Sequence, residues 1–282
     1  MPSTSPRLWI VATPLGNPGD LSPRAREILE TADLVLAEDT RRAAALFRRL
    51  GLPPRRFLSF YEQNEDSRRA EVLATLRAGA QVALISDAGT PLLADPGYRL
   101  VRACRREGLP VSPVPGPSAP VAALSAAGVA PLPFTFLGFL PRDVAGRRAL
   151  FRAYAAVPGS LIFFERKDRL GESLALASEM LGRRELAICR ELTKTHEEFR
   201  LGRLEEAGDL TEDLLGEITV IIGPPEGAPA RAAETEARAS LRALLASGMK
   251  PREAAREAHE RLTGWSVKEL YALIPQIQRG ED

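Results

Sequence analysis

Short apolar runs alternate with segments of helical periodicity along most of this chain, the mark of an α/β fold. Leu8 to Ala12 reads as a buried strand, followed by the rigid loop Thr13-Pro14-Leu15-Gly16-Asn17-Pro18-Gly19-Asp20. Ser22-Pro23 opens a helix, with serine as N-cap and proline at the first helical position, where no N–H is needed. Leu34 to Ala37 is the next strand, and it closes on Glu38-Asp39-Thr40-Arg41, with Thr40 placed to cap a helix that runs to Leu50. A brief strand near Phe57, a helix from about Asp66 to Ala78 and a strand from Val82 to Ile85 continue the pattern.

Two loops rich in glycine and proline follow apolar runs. Ser86-Asp87-Ala88-Gly89-Thr90-Pro91-Leu92-Leu93-Ala94-Asp95-Pro96-Gly97 follows Val82 to Ile85, and Pro115-Gly116-Pro117-Ser118-Ala119 follows Val111 to Val114. Each leads into a helical pattern, so both belong at carboxyl ends of parallel strands, where open α/β sheets bind ligands. Glycine lets backbone approach a ligand closely and proline fixes the loop's shape. No lysine or arginine falls between Ser86 and Tyr98, so a phosphate is poorly served there. Asp87 and Asp95, with many free backbone groups, suit a ligand that carries a positive centre and an adenosine, such as S-adenosylmethionine.

At 282 residues and 45% apolar composition the chain buries a large core and holds about two domains. Its net charge of +1 makes no global demand for nucleic acid. The only lysines are Lys167, Lys194, Lys250 and Lys268, so nearly all 38 basic residues are arginine. Either phosphate recognition by guanidinium groups or, more simply, a GC-rich coding sequence accounts for that bias. Cys104 and Cys189 are far apart, and no Cys/His cluster accompanies His196 and His259, so neither a disulfide framework nor a metal site is expected. Met1 to Pro6 is polar and no later apolar run approaches the ~18 residues of a membrane span, which leads to the expectation of a soluble cytoplasmic protein.

Ala127-Gly128-Val129-Ala130-Pro131-Leu132-Pro133 breaks periodicity after the helix that starts at Ala119 and reads as a domain boundary. A second α/β unit follows, with strands at Phe134 to Gly138, Leu161 to Phe164, Leu186 to Cys189, the Glu198 to Leu204 region and Ile218 to Ile222. Its helices lie near Arg147 to Ala156 and Leu170 to Leu181, and Gly223-Pro224-Pro225-Glu226-Gly227 ends it. From Pro229 onward the composition shifts to alanine, arginine and glutamate. Pro251 starts a helix to about Leu262, and Thr263-Gly264-Trp265-Ser266 introduces another. The expected organisation is an α/β domain over 1–130, a second over 131–225 and a small helical domain over 226–282, with a ligand cleft between the first two.

Thr13-Pro14-Leu15-Gly16-Asn17, Ala37-Glu38-Asp39-Thr40-Arg41, Ser86 to Gly97, Pro115 to Ala119 and Arg190-Glu191-Leu192-Thr193-Lys194-Thr195 follow one another in an order with a known counterpart. The chain resembles the tetrapyrrole-methylase-like S-adenosylmethionine-dependent methyltransferases. Within them it is similar to the group that methylates a cytidine ribose 2′-oxygen in 16S rRNA of the small ribosomal subunit, and the likeness spans nearly the whole chain. The resemblance implies a homodimer, a decoding-region target, and a methyl donor held between the two α/β domains. It implies a donor pocket of Pro14, Ala88, Gly89, Thr90, Leu93, Ser118 and Ala119, with Glu165 and Leu192 from the second domain.

A ribose hydroxyl is a poor nucleophile, so a base, or a cation steadying the developing alkoxide, is expected to help by about 10²–10⁴-fold. Glu38, Asp39, Glu165, Glu191 and Lys194 are the candidates, and one of Glu38 and Asp39 could serve only in capping or in pairing with Arg41 or Arg42. Lys194 stands where arginine is the compositional default, and an amine, unlike a guanidinium, can lose its proton when partly buried. It is therefore expected at the target ribose or its phosphate.

Where relatives carry a Glu-Ser-Pro/Thr-His-Arg-like run, this chain reads Glu165-Arg166-Lys167-Asp168-Arg169, which argues against an essential histidine there. In the tail, Arg252, Arg256, Arg261 and Lys268 with Trp265 and Tyr271 read either as an rRNA-binding face or, given the interleaved glutamates, as a solvated face over a small core. Two competing functions remain: a methyltransferase acting on a tetrapyrrole, and a non-catalytic ribosome-assembly factor with a nucleoside pocket.

Overall fold

The computed structural model describes residues 7–226, 232–262 and 264–279. Gly227, Pro229 and Thr263, used above to mark the start of the tail and of its last helix, and the polar start Met1 to Pro6 lie outside the described residues.

The first sheet holds β1 (Arg7–Val11), β2 (Leu34–Ala37), β3 (Phe57–Ser59), β4 (Gln81–Leu84) and β5 (Val111–Val114) in the order β3-β2-β4-β1-β5. All of its pairings are parallel. Helices α1 (Pro23–Thr31), α2 (Thr40–Leu50), α3 (Glu65–Arg77) and α4 (Tyr98–Arg106) connect the strands, and α5 (Ala119–Ala126) follows the last one. Side chains alternate across a strand, so each strand feeds two cores. Trp9, Val11, Val35 and Ala83 pack with α1 and α2 on one face, while Leu8, Leu34, Leu36, Val82 and Leu84 pack with α3 and α4 on the other. Near-continuous apolar runs are what a doubly covered parallel sheet requires.

Helix starts follow local chemistry. Ser22 Oγ accepts the Ala25 N–H at 3.1 Å, as its position before Pro23 predicts. The cap of α2 is Asp39 and not Thr40: Asp39 takes the extended conformation, and its carboxylate accepts the Arg41 N–H at 2.8 Å and the Arg42 N–H at 3.4 Å.

The second sheet holds β6 (Phe134–Phe139), β7 (Ser160–Glu165), β8 (Glu185–Arg190), β9 (Glu198–Arg203) and β10 (Ile218–Ile222) in the order β6-β7-β10-β8-β9. Only β6 and β7 run parallel; β10 is antiparallel to both its neighbours, and β9 to β8. Helices α6 (Val144–Tyr154) and α7 (Lys167–Leu181) cover one face, where Phe151, Leu170 and Leu174 meet Leu161, Phe163, Ile188 and Val220. The short α8 (Ala207–Leu210) sits at that edge. The opposite face, with Ile162, Ala187, Cys189 and Ile221, packs on Ala123, Leu124 and Ala127, which belong to α5 or directly follow it. The last helix of the first half thus builds the core of the second.

The chain divides into two compact units, Met1–Ala155 with Gly159–Pro224, and Ala156–Pro158 with Pro225–Asp282. The first contains both sheets. The second contains α9 (Glu234–Ala246), α10 (Pro251–Arg261) and α11 (Val267–Arg279), which close on Leu241, Leu244, Ala255, Ala258, Trp265 and Leu270. Trp265 is 5% exposed and its indole N–H donates to the Ala232 carbonyl at 2.7 Å, so it is a core residue and not a stacking surface. His259 Nδ1 lies 2.6 Å from the Trp265 carbonyl oxygen, in keeping with a packing role. Among the described residues no helix is long and apolar enough to cross a membrane.

Candidate active site

The carboxyl ends of β1, β2, β4 and β5 meet along one edge of the first sheet, and hydrogen bonds lock the loops that leave them to one another. Thr13 and Gly89 exchange backbone hydrogen bonds of 2.9 and 3.0 Å, and Thr13 Oγ1 donates to the Ser86 carbonyl at 3.3 Å. Thr90 Oγ1 donates to the Pro117 carbonyl at 2.9 Å, which ties the 86–97 loop to the 115–119 loop. Gly89 has φ +77°, and the non-glycine residues Leu92 and Ala94 also lie in the left-handed region, at +73° and +77°. Non-glycine backbone held there is strained, and such strain gathers at ligand sites.

The far end of this loop is fixed by a residue absent from the sequence expectations. Glu65, only 4% exposed, reaches from the start of α3 to the start of α4, where its carboxyl oxygens accept the Leu100 N–H at 2.9 Å and the Gly97 N–H at 3.4 Å. Gly97 offers α4 no capping side chain of its own. Glu65→Ala leaves two buried N–H groups without acceptors, at about 1–3 kcal/mol each, so urea denaturation should show a loss of roughly 2–6 kcal/mol. Glu65→Gln, which keeps one acceptor oxygen, should lose less.

The second sheet supplies the facing wall. Antiparallel pairing puts the start of β10 beside the end of β7, with Ile218 opposite Glu165 and Thr219 opposite Phe164. Phe139 packs against Phe164 with ring centroids 5.3 Å apart. Glu165 is fully satisfied: Oε1 accepts the Arg166 N–H at 2.8 Å, Arg169 binds both oxygens, and Ser173 Oγ donates to Oε2 at 2.8 Å. Together these elements enclose a cavity of about 470 Å³, within the range of small-molecule sites.

Ala88, Gly89, Thr90, Leu93, Ser118, Ala119, Glu165 and Leu192 all line this cavity, and of the nine residues expected in a donor pocket Pro14 alone does not. Leu15, Arg42, Phe139, Phe164 and Gly216 to Thr219 line it as well and were not anticipated. The available signal for the last group was a glycine-acid pair, Gly216-Glu217, directly before the largely apolar run Ile218 to Ile222.

Of the five residues expected to perform chemistry, Glu165 lines the cavity in its pair with Arg169, and the other four separate clearly. Glu38 lines the cavity. Asp39 does not; it caps α2, and the Arg41 N–H holds its carboxyl below the usual range. Glu191, at φ +51°, accepts the Glu217 N–H at 2.9 Å, and that bond, with the Lys194 ammonium, keeps its carboxyl low. Lys194 Nζ donates to Glu191 at 3.0 Å and to Glu217 at 2.9 Å. Burial disfavours its charge, but the bonds from Glu217 and Glu191 outweigh that and raise its pKa. Here Lys194 is a charged brace outside the cavity lining. Close approach to Lys194 also explains Gly16, where a Cβ would overlap the lysine Cγ. Asp168 pairs with Arg166 at 3.0 Å on the exposed first turn of α7, and His196 is exposed; neither lines the cavity.

Charge in the cavity is predominantly acidic. Glu38, Asp87 and Asp95 line it, with Arg42 bound to Asp87 at 2.7 Å. Burial, then the charge of Asp87, raises the Glu38 pKa. Burial, then the charges of Glu38 and Asp87, pushes Asp95 up to about 7. Asp95 therefore binds its proton more tightly folded than unfolded. The stability it contributes is full below the unfolded value of 3.8 and lost as pH rises through about 7. Asp95→Asn has no such charge to bury, so thermal denaturation without ligand should show it gaining on the parent protein as pH rises from about 4 to about 8.

A nucleoside-sized cavity with acidic lining thus lies at the carboxyl edge of a parallel sheet and is closed by a second, mixed sheet. The family model "Tetrapyrrole (Corrin/Porphyrin) Methylases" matches residues 7–208. Uroporphyrin-III-C-methyltransferase from Thermus thermophilus superposes with a TM-score of 0.54 at 25% identity, covering 77% of this chain and 94% of that one. Ribosomal RNA small subunit methyltransferase I of Mesorhizobium japonicum is 45% identical over 97% of this chain and 92% of its own length. The protein of the same name from Mycobacterium bovis is 41% identical over 98% and 97%. The chain belongs to the ribosomal RNA small subunit methyltransferase I family, within the tetrapyrrole methylases.

Proposed function

We propose that this chain transfers the methyl group of S-adenosylmethionine to the 2′-oxygen of a cytidine ribose in 16S rRNA of the small ribosomal subunit, in the decoding region. The observation that carries this reading is the single cavity that gathers eight of the nine expected donor-pocket residues together with Glu38. The residues fit the donor. Asp87 and Asp95 favour a cation, and Ala88, Gly89, Ser118 and Ala119 leave room for close contact. Leu15, Leu93, Leu192, Phe139 and Phe164 offer apolar surface to an adenine.

The bound donor supplies a methyl group on a sulfonium, already a good leaving group, so positioning dominates what the protein contributes. The locked 86–97 and 115–119 loops provide the fixed frame. Glu38, at the end of β2 with its pKa raised towards working pH, takes the hydroxyl proton. Lys194, Glu191 and Glu217 hold the wall that carries Gly216 to Thr219, and Glu165 shapes the second-sheet side.

The reading keeps 1–130 as the main donor-binding part, 131–225 as the facing part and 226–282 as an rRNA-binding module. The module presents exposed Arg252, Arg256, Lys268 and Tyr271. It places the enzyme in the cytoplasm as a homodimer, for which Leu132, 77% exposed, and Phe134, 38% exposed on the edge strand β6, supply apolar surface. Radiolabelled methyl transfer from S-adenosylmethionine to small subunits lacking the modification, followed by nucleoside mass spectrometry, tests it. The expected product is 2′-O-methylcytidine. No transfer to subunits or naked rRNA, with donor binding intact, overturns the reading in favour of a tetrapyrrole substrate or a non-catalytic assembly role.

A further inference from the structure

Away from the cavity, positive charge concentrates on one helix. The whole chain carries only +1, yet α4 holds Arg99, Arg102, Arg105 and Arg106 and no acidic residue. Leu100 and Cys104 turn into the core, while Arg105 donates to the Val111 carbonyl at 3.1 Å. The other three arginines line a groove of about 490 Å³ between α3 and α4, together with Arg69, Leu73 and Tyr98. Two carboxylates compete for this charge: Asp66 holds Arg69 at 2.6 Å and also Arg99, and Glu107 is held by Arg77 at 2.6 Å. Arg102 and Arg106 have no acidic partner among the described residues. They stand one helical turn apart, about 6 Å along the axis.

We propose that this groove docks the phosphate backbone of the RNA substrate, with Arg102 and Arg106 on phosphates and Tyr98 as a stacking platform for an unpaired base. The proposal rests on the reading that the chain acts on rRNA. Unpaired guanidinium groups are pre-organised for bidentate contact with phosphate. Single-stranded RNA is gripped by cations along its backbone and by aromatic rings under its bases. Tyr98, 63% exposed, is such a ring. It directly follows Gly97, at the end of the loop whose Leu93, Ala94 and Asp95 line the donor cavity. RNA lying on α4 therefore leads to the cavity wall. A second copy of the chain fits poorly, since a two-fold contact here sets arginine against arginine, and Leu73 and Ala103 give a protein partner little apolar surface to bury.

The test compares full-length parent protein, Arg102→Ala/Arg106→Ala and Tyr98→Ala in binding to small subunits lacking the modification, between roughly 50 and 200 mM salt. Arg148→Ala/Arg183→Ala, which removes equal charge from exposed pairs with Glu179 and Glu205, is the control. Calorimetric titration with S-adenosylmethionine reports folding. The double variant should bind subunits about tenfold or more weakly, with a log K against log salt slope shallower by roughly 1.5, at 0.7–0.9 for each phosphate contact. Tyr98→Ala should bind roughly tenfold more weakly with its slope unchanged. Donor affinity and the control should match the parent. If the parent binds and both variants bind with the same affinity and slope, the groove proposal falls and the proposed function stands. A changed sedimentation coefficient with unchanged subunit affinity also overturns it, in favour of a contact between copies. If the parent binds neither subunits nor naked rRNA, the rRNA reading fails and takes the groove with it.

Discussion

Replacing Arg169 by alanine should unfold the protein at a markedly lower temperature, because it leaves the Glu165 carboxylate buried without its cation. The Glu165 side chain is 0% exposed and that of Arg169 is 19% exposed, with their closest atoms 2.6 Å apart. Arg169 also donates to the Leu140 carbonyl at 3.1 Å and to the Pro141 carbonyl at 3.4 Å, so one guanidinium joins the ends of β6 and β7 to the first turn of α7. Breaking a buried pair by removing one partner costs about 3–5 kcal/mol, which corresponds to a fall in Tm of roughly 10 °C in a chain of this size. Arg169→Lys keeps the charge but not the fork that serves two carboxylate oxygens and two carbonyls, and should recover only part of the loss. The pair Arg261–Glu257 has the same i,i+4 spacing but side chains 58% and 37% exposed, so Arg261→Ala should cost under about 0.5 kcal/mol. Thermal and urea denaturation of the three variants side by side separates burial from spacing as the cause.

Where a local rule decides the structure, the sequence carries it. Leu34–Ala37 and Ile218–Ile222 are strands with the bounds that their apolar runs suggest. The cap of α2 shows the limit of such rules. Asp39 and Thr40 are both good N-caps, and only the backbone conformation, extended at Asp39, chooses between them. Strand direction in the second sheet was not legible, because a fully buried run such as Ile218 to Ile222 reads alike whether its neighbours run with it or against it. That gap has a direct consequence for the site. Antiparallel pairing of β10 with β7 and β8 sets Ile218 beside Glu165 and Arg190, and this alone brings Gly216 to Thr219 to the cavity. Glu65 escaped for a similar reason: its partners, Gly97 and Leu100, are neighbours only because α3 and α4 pack side by side. The first-sheet contributors Glu38, Ala88 to Thr90, Leu93, Ser118 and Ala119 were legible, since each stands in a loop beyond the carboxyl end of a parallel strand, where topology rather than pairing detail fixes its place.

Glu38→Gln should lower kcat by about 10²–10⁴-fold while leaving donor affinity within a few fold, since glutamine keeps the shape of the cavity wall but cannot accept a proton. Its neighbour provides the control. Asp39→Asn preserves a cap of equal quality and should retain activity, and Asp39→Ala should lose about 1 kcal/mol of stability with kcat nearly intact. The pH profile separates Glu38 from the other cavity carboxylate with a raised pKa. A base must be deprotonated, so the parent kcat/KM should rise with pH through the raised Glu38 pKa and again as Asp95 ionises near 7. Glu38→Gln should abolish the rise that belongs to Glu38 and keep the one that belongs to Asp95, because Asp95 still gains its charge in that variant. Removing the Glu38 charge should also move the Asp95 rise down, since that charge helps to push Asp95 up. A merely structural Glu38 predicts the reverse pattern: an altered donor affinity, a kcat within a few fold of the parent, and both rises still present.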